Sequence, residues 1–366
     1  MPETFAHADD LGPEKVIEIT DPRAGLRAVL VVDNTAAGPA IGGCRMAPDV
    51  SVAECARLAR AMTLKNAAAS LPHGGGKSVI FADPKIPAEG KERLIRSFAR
   101  AIGEVRSYIV GPDMGTDETA MAWVRDEIGR AVGLPREVGG IPLDEIGATA
   151  HGLVAAAKAA EPFSGIALKG ARVAVQGYGA VGRWVAHFLG REGAVIVAVS
   201  DSRGGIAAAD GLDLDRLDAL KADGRSVAEL GGATRLDPGE IIGAGCDILI
   251  PAARPDVIRA ENAGRVRARM VLEGANIPAT AEAEAALAGR GILVVPDFIA
   301  NAGGVICAAV EHRGGGESEA LAVIAERVGR NTAEVLDRAR RDHTLPREAA
   351  FAMAAERVRR AASFRR

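Results

Sequence analysis

His73-Gly74-Gly75-Gly76-Lys77-Ser78 is the stretch of this 366-residue chain whose residue types most constrain its chemistry. Three successive glycines strip side chains from the backbone leading to one lysine. The spacing G-x-x-x-x-G-K-[ST] of a mononucleotide phosphate loop is absent, so a Walker-type cradle is not the reading. The remaining reading is a lysine in a tight, partly desolvated pocket. Such a pocket suits general-base work, because burial disfavours the charged form of an amine. Lys65 lies 12 residues earlier (65 to 77) on the apolar stripe of an expected helix. Alone it reads as a snorkelling side chain; close to Lys77 it would supply a second cation able to hold a substrate carboxylate. Gly111-Pro112-Asp113-Met114-Gly115-Thr116 is a rigid turn carrying an acid, and alone Asp113 reads as a turn or cap residue. His73 reads as a structural histidine beside the glycines.

A second constellation lies further on. Gly177-Tyr178-Gly179-Ala180-Val181-Gly182 fits G-x-G-x-x-G. It follows the apolar run Arg172–Gln176 and opens a helical pattern, and the next apolar run ends at Asp201, 24 residues after Gly177. That is the context of a dinucleotide site: the glycines permit a tight turn, backbone approach to a pyrophosphate, and close helix–strand packing. The helix start offers its unpaired N–H groups to the phosphates. The competing reading is a glycine-rich turn with a surface aspartate. Asp201 favours NAD through the ribose 2′-hydroxyl, and Arg203 beside it leaves NADP open.

The elements that must position these groups follow from the patterning. Ser51-Val-Ala-Glu54 reads as a capping box opening a helix to about Ser70, with Cys55, Leu58, Met62 and Ala69 as its apolar stripe. Lys77–Ala82 reads as a strand, and helices are expected over 89–105 and 118–132. The second half alternates strands (172–176, 195–200, 247–250, 270–273, 292–295) with helices, which predicts βαβ units and a mostly parallel sheet. Two long helices, near 318–341 and 346–362, close the chain, with 312–316 as a short hinge. The fold class is α/β: an N-terminal α/β substrate domain (1–135), a Rossmann-type parallel-sheet dinucleotide-binding domain (136–320), and C-terminal helices (321–366) packing back on the first domain.

Composition narrows the function classes. The net charge of −3 provides no field for nucleic acid or an anionic membrane, and 3% aromatic residues provide no base-stacking surface. The N-terminus lacks the pattern of a secretory signal, and no apolar run approaches the ~20 residues of a span. Cys44, Cys55, Cys246 and Cys307 are scattered without CxxC pairing, so neither a zinc site nor a disulfide framework is expected. These features together predict a cytoplasmic enzyme with no metal.

The ordered motifs GPAIGGCRM (38–46), MTLKNAAASLPHGGGKSVI (62–80), GPDMGT (111–116), VQGYGAVGR (175–183), CDILIPAA (246–253), EGAN (273–276) and PDFIANAGGV (296–305) resemble those of the glutamate/leucine/phenylalanine/valine dehydrogenases. The resemblance covers nearly the whole chain, and the length is similar to the shorter leucine and phenylalanine members. It implies that Lys65 holds the substrate α-carboxylate, Lys77 activates water, and Asp113 handles protons at the amino group, with Gly42 and Gly43 lining the carboxylate site. It implies that Thr149, Asn276 and Asn301 lie beside the nicotinamide. The implied reaction is reversible oxidative deamination of an L-amino acid to a 2-oxo acid and ammonium, in a homo-oligomer. The hydride chemistry belongs to the nicotinamide, and the protein supplies position and charge.

Departures from the family pattern bear on the substrate. Glutamate-specific members carry a lysine where this chain has Ile41 and a serine where it has Ala308. A glutamate γ-carboxylate would then be buried without a counter-charge, which costs several kcal/mol. Val305 resembles the leucine-type lining, whereas Gly111 resembles the phenylalanine type. The expectation is an apolar amino acid of the leucine or valine kind. The alternatives are phenylalanine, glutamate, a modified amino acid, or a silent dinucleotide-binding protein. The second domain, with CDILIPAA and VLEGAN, resembles the glutamate enzymes more closely.

Overall fold

The computed structural model describes residues 8–365. Internal contacts divide the chain into two units. The first holds the residues up to Pro142, Val305–Ala320 and the residues from Phe351 onward; the second holds Leu143–Gly304 and Leu321–Ala350. Where the sequence reading assigns all of 136–320 to the dinucleotide domain, residues 136–142 and 305–320 group with the first unit, and the C-terminal helices are divided between the two.

The first unit is built on a five-stranded sheet of β1 (Lys15–Asp21), β2 (Leu26–Asn34), β3 (Ala40–Met46), β4 (Gly74–Ile80) and β5 (Tyr108–Pro112), in the order β1-β2-β4-β3-β5. β1, β2 and β4 pair antiparallel, while β3 runs parallel to both β4 and β5. Three helices cover it: α1 (Val52–Ala68), α2 (Ala88–Ala101) and α3 (Glu118–Ile128). The two-residue period of a strand sorts β2 between two cores. Leu30 and Val32 join Ile95 and Phe98 of α2 and Met121 of α3. Val29 and Val31 meet Cys55, Ala56 and Ala59 of α1. β2 is therefore buried on both faces and reads as a continuous apolar run.

Three local expectations change. Ser51 does cap α1, accepting from the Glu54 N–H at 3.1 Å. The reciprocal half of the capping box is replaced, because the Glu54 carboxylate accepts from Arg45 at 2.6 Å. The buried face of α1 consists of Cys55, Ala59, Thr63 and Asn66 rather than a stripe through Leu58 and Met62, which are only half-buried. Small and polar residues face inward there because α1 lies close on β4. A Cβ on Gly75 would stand 2.0 Å from the Thr63 backbone nitrogen, so glycine is required at that crossing. β4 accordingly begins at Gly74, three residues before Lys77, and the glycines are part of the strand.

The second unit contains a seven-stranded sheet in the order β12-β11-β10-β6-β7-β8-β9. Its strands are β6 (Arg172–Gln176), β7 (Val195–Asp201), β8 (Gly204–Ala207), β9 (Thr234–Leu236), β10 (Ile248–Pro251), β11 (Met270–Leu272) and β12 (Leu293–Val295). β12 through β7 are parallel, and β8 and β9 extend the sheet antiparallel. The sheet is therefore mostly, not wholly, parallel. Helices α4 (Ala148–Ser164), α5 (Ala180–Arg191), α6 (Leu214–Ala222), α7 (Ala260–Ala263), α8 (Ala281–Gly289) and α9 (Asp297–Ala300) alternate with the strands, and α10 (Gly303–His312), α11 (Glu317–Asp342) and α12 (Pro346–Ala362) close the chain. The 312–316 segment is the turn between α10 and α11. Strand order reverses on either side of β6: β7 lies to one side and β10 to the other. Such a switch point opens a crevice at the carboxyl ends of the strands.

Among the described residues no helix is long and apolar enough to cross a membrane, and no group of His, Cys, Asp and Glu could hold a metal ion. The four cysteines are free, and burial pushes each thiol up to about 12.

Candidate active site

In the first unit, strand pairing brings the separate sequence motifs together. β3 places Ile41 opposite Ile109 and Gly43 opposite Gly111 in β5. Lys77 lies on β4 with its side chain only 5% exposed, and it forms an ion pair with Asp113, which follows β5. Gly43 makes that pairing sterically possible: a Cβ there would sit 2.8 Å from the Asp113 Cβ and 2.9 Å from its Oδ2. Arg45 donates from Nε to the other Asp113 oxygen at 3.0 Å. Burial alone would raise the Asp113 carboxyl. The Lys77 and Arg45 cations outweigh it, and the group lies below its ordinary 3.8. Asp113 is thus a carboxylate throughout the neutral range, held between two cations.

Lys65 is placed by its neighbour. Asn66 reaches from α1 across two strands, its Nδ2 donating to Gly74 O at 2.7 Å and Ile41 O at 3.3 Å. That bridge pins the last turns of α1 over β3 and β4, where Lys65 is half-buried. Gly42 is held from the opposite side. The buried Tyr108 hydroxyl donates to Gly42 O at 2.9 Å and accepts from Ser78 Oγ at 3.1 Å.

Beside these polar groups is a small apolar cluster. Ile41, Ile109 and Val132 are buried against one another, with Ala308 of α10 packed on them. Gly111 is next to it, where a Cβ would meet Val132 Cγ2 at 3.2 Å. Val305 lies one helical turn before Ala308. Glu311, a turn further along, fixes α10 to the segment after α3 by accepting from Leu134 N at 3.2 Å and Ile141 N at 2.9 Å. His73 is occupied structurally: its Nδ1 lies 3.1 Å from Pro39 O, its ring stands edge-on to His312 at 5.6 Å, and burial lowers it below 6.5.

In the second unit, the residues after β6 are shaped for a dinucleotide. Gly177 has φ +96 and stands where a Cβ would come within 2.6 Å of Ala253, which follows β10; Gly182 backs onto Gly177 O at 1.8 Å from an added Cβ. Neither position accepts a side chain. A Cβ on Gly179 would instead enter open space, and Gly179 caps α5 with no side-chain bond. The start of α5 therefore keeps its N–H groups available for a phosphate. Tyr178 is buried and donates to Asp218 at 2.9 Å, Ala180 is exposed and Val181 half-buried. Thr149 lies in the first turn of α4, against Gly303 and Gly304. Asn301 donates to Asn276 Oδ1 at 3.0 Å, so these two are in direct contact.

Asp201 differs from the sequence expectation in its surroundings. Its side chain is 8% exposed. Oδ1 accepts from Arg203 N at 2.9 Å and Ser226 Oγ at 2.8 Å, and Oδ2 accepts from Val227 N at 3.0 Å and Lys221 Nζ at 3.1 Å. A carboxylate offers about four acceptor sites, and all are filled from within. Arg203 itself reaches Gly224 O at 2.9 Å.

Arg45, Asn66 and Tyr108 are residues of this site that sequence reasoning did not single out. Arg45 and Asn66 lie inside quoted motifs, but a lone arginine after GlyGlyCys carries no chemical signature until β3 and β5 place it against Asp113. Tyr108 is legible only from the register that pairs it with Ala40 and lets its hydroxyl reach Gly42 O.

The chain matches the Glutamate/Leucine/Phenylalanine/Valine dehydrogenase family over residues 139–366 and the Glu/Leu/Phe/Val dehydrogenase dimerisation domain over 13–130. It is 39% identical over 356 residues (91% of this chain, 85% of the relative) to glutamate dehydrogenase of Aeropyrum pernix. It is 38% identical over 299 residues (77% and 71%) to NADP(+)-dependent glutamate dehydrogenase of Pyrobaculum calidifontis. Among solved structures it is similar to hetero-hexameric glutamate dehydrogenase from Thermus thermophilus in its Leu-bound form, with TM-score 0.83, 34% identity, and 97% of this chain and 90% of that one covered. It is also similar to L-tryptophan dehydrogenase from Nostoc punctiforme, with TM-score 0.77, 26% identity, and 96% and 97% covered. The expected nearness to the short leucine and phenylalanine enzymes is corrected by the curated relatives, which carry glutamate dehydrogenase names. The chain belongs to the glutamate/leucine/phenylalanine/valine dehydrogenase family and is an NAD(P)-dependent amino-acid dehydrogenase acting on the CH–NH2 group of its substrate.

Proposed function

We propose that this dehydrogenase oxidatively deaminates an L-amino acid with an apolar side chain, of the leucine or valine kind, and runs the reverse amination. The observation that carries this reading is the Ile41–Ile109–Val132–Ala308 cluster, whose members bear no charge. A γ-carboxylate buried there would lack a counter-ion, at a cost of several kcal/mol. A branched apolar side chain would instead gain about 1.5–3 kcal/mol by burial. The glutamate reading is favoured by a different observation, the names of the curated relatives. Overall identity averages over the whole chain, whereas side-chain discrimination rests on the few residues that touch the substrate, so the cluster is given more weight. Competition between two unreactive analogues tests the choice: 4-methylpentanoate should inhibit at least about 10-fold more tightly than glutarate, a difference of 1.4 kcal/mol. Tighter inhibition by glutarate would reverse the assignment.

Within this reading Lys65 pairs with the substrate α-carboxylate, and the Gly42 and Gly43 backbone lines that end of the site. The cofactor, when bound, accepts hydride from the substrate α-carbon. Lys77 positions and activates the water that adds to the resulting imino carbon. Asp113, a carboxylate between Lys77 and Arg45, takes and returns protons at the substrate nitrogen. On the cofactor side, Gly177 to Gly182 would hold the pyrophosphate, and Thr149, Asn276 and Asn301 would orient the nicotinamide. The first unit, matched by the dimerisation-domain description, is proposed to mediate self-association into a homo-oligomer.

We further propose that both NAD and NADP are used. The internal donors on Asp201 blunt its preference for a 2′-hydroxyl, and Lys221, with a 31% exposed side chain, can turn from Asp201 to a 2′-phosphate. Lys221→Ala should weaken NADP binding by about 10-fold, the scale of one charged hydrogen bond, and leave NAD within about 2-fold. Equal loss for both cofactors, measured by titration, would remove Lys221 from this role.

A further inference from the structure

The two asparagines assigned above to the nicotinamide are carried by segments that meet at one guanidinium. Arg347, near the start of α12, is 17% exposed at its side chain and contacts three carboxylates. Nη2 lies 2.6 Å from Glu273, Nη1 2.8 Å from Asp297, and Nε 2.6 Å from Glu284. Glu273, fully buried, directly follows β11 and begins the Glu-Gly-Ala-Asn segment that ends at Asn276. Asp297 opens α9, and its carbonyl accepts from the Asn301 N–H at 2.7 Å. The same two acids also tie the segments to each other. Asp297 N donates to Glu273 at 2.9 Å, and Asp297 Oδ2 accepts from Ile277 N at 2.8 Å. Ile277 has φ +48, a left-handed conformation that β-branched residues disfavour. The residue after Asn276 is therefore held in place by an acid that Arg347 itself holds.

A buried ion cluster of this kind is weak evidence for stability, since apolar packing of equal volume often does as well. One guanidinium also cannot neutralise three carboxylates. Burial, countered by Arg347, leaves Glu273 well above its usual range, and one Glu273 oxygen is buried without a partner. The arms are not equivalent. Those to Glu273 and Asp297 end on the Asn276 and Asn301 segments, whereas the arm to Glu284 ends on α8, an element that carries neither asparagine.

We propose that Arg347 is a positioning residue of the cofactor site: through Glu273 and Asp297 it fixes the contact between Asn276 and Asn301 in one geometry, while Glu284 on α8 is not needed for that geometry. The proposal rests on the reading that those asparagines contact the cofactor. Its test uses the full chain with four substitutions, Glu273→Gln, Asp297→Asn, Glu284→Gln and Asn301→Ala. Dissociation constants for NADH are measured by fluorescence titration, and thermal unfolding is followed on the same samples. Asn301→Ala should weaken NADH. Both Asp297→Asn and Glu273→Gln should weaken it, Asp297→Asn by about 10-fold, on the scale of one hydrogen bond to a charged group, and Glu273→Gln by less, because burial already holds its carboxyl toward the neutral form. Glu284→Gln should stay within about 2-fold even where its loss of thermal stability equals theirs. Equal weakening by all three carboxamide variants, in proportion to lost stability, would make the cluster merely structural and overturn the proposal. Unchanged NADH affinity in Asp297→Asn and Glu273→Gln, with Asn301→Ala impaired, would also overturn it while sparing the underlying reading. Unchanged affinity in Asn301→Ala would instead show that the reading itself has failed.

Discussion

Lys77→Met should lower kcat by about 10²–10⁴-fold, the range general acid–base groups supply, while cofactor affinity changes by less than about 2-fold. Methionine preserves the length of the stem and the burial on β4 but removes both the donor to Asp113 and the group proposed to activate water. Lys77 lies in the first unit and the glycine turn in the second, so cofactor binding provides an internal control on folding. The substitution leaves Asp113 with Arg45 as its remaining charged neighbour at 3.0 Å. A partial fall in stability is therefore expected, because a half-buried carboxylate loses one of two cations. Single-turnover kinetics under saturating cofactor separate that from chemistry. A wild-type hydride-transfer step with slowed release of 2-oxo acid would place Lys77 after hydride transfer, where the proposal has it. Loss of cofactor binding with intact stability would remove its catalytic assignment.

The second large effect concerns the substrate. Ile41→Lys should shift the ratio of kcat/KM for glutamate over leucine by about 100-fold or more, because an ammonium would replace a methyl-bearing side chain beside Ile109 and Ala308. Two terms contribute. The γ-carboxylate gains a charged partner, worth about 1.5–3 kcal/mol, and leucine loses apolar surface while leaving a buried cation unpaired, which costs at least as much. The buried ammonium also lowers stability, so the readout is the ratio rather than either rate. An unchanged ratio in a folded variant would mean that Ile41 does not line the side-chain pocket.

These two residues illustrate what the sequence displays and what it conceals. Lys77 stands out because three glycines precede it, and the strand that carries it is bordered by apolar residues. The glycines mean something different in the structure, however: Gly75 lets α1 press on β4 and Gly76 makes room for the Tyr108 ring, rather than forming a loop. Ile41 is informative only against a family pattern; as a lone isoleucine in Gly-Pro-Ala-Ile-Gly-Gly it has no signature. The parallel strands of the second unit were legible because uninterrupted Val, Ile and Leu runs mark doubly buried strands. β3 was not, because its Gly42-Gly43 pair is depleted in strands and occurs there only for close backbone approach. Asp201 was found at the right distance from Gly177, but three of its four internal donors come from segments 20 to 26 residues away in sequence, beyond any local pattern. The Arg347 cluster was wholly hidden, since its members lie 50 to 74 residues from the arginine and each, alone, reads as a surface charge.

The central claim, an apolar-specific deaminating dehydrogenase, is tested most directly by following reduced cofactor at neutral to alkaline pH with NAD or NADP and a panel of L-amino acids. Turnover of leucine or valine with kcat/KM at least about 100-fold above glutamate is the predicted result, matching the cost of burying an unpaired carboxylate at the Ile41 cluster. Preferential turnover of glutamate would contradict it and return the substrate assignment to the one carried by the relatives' names.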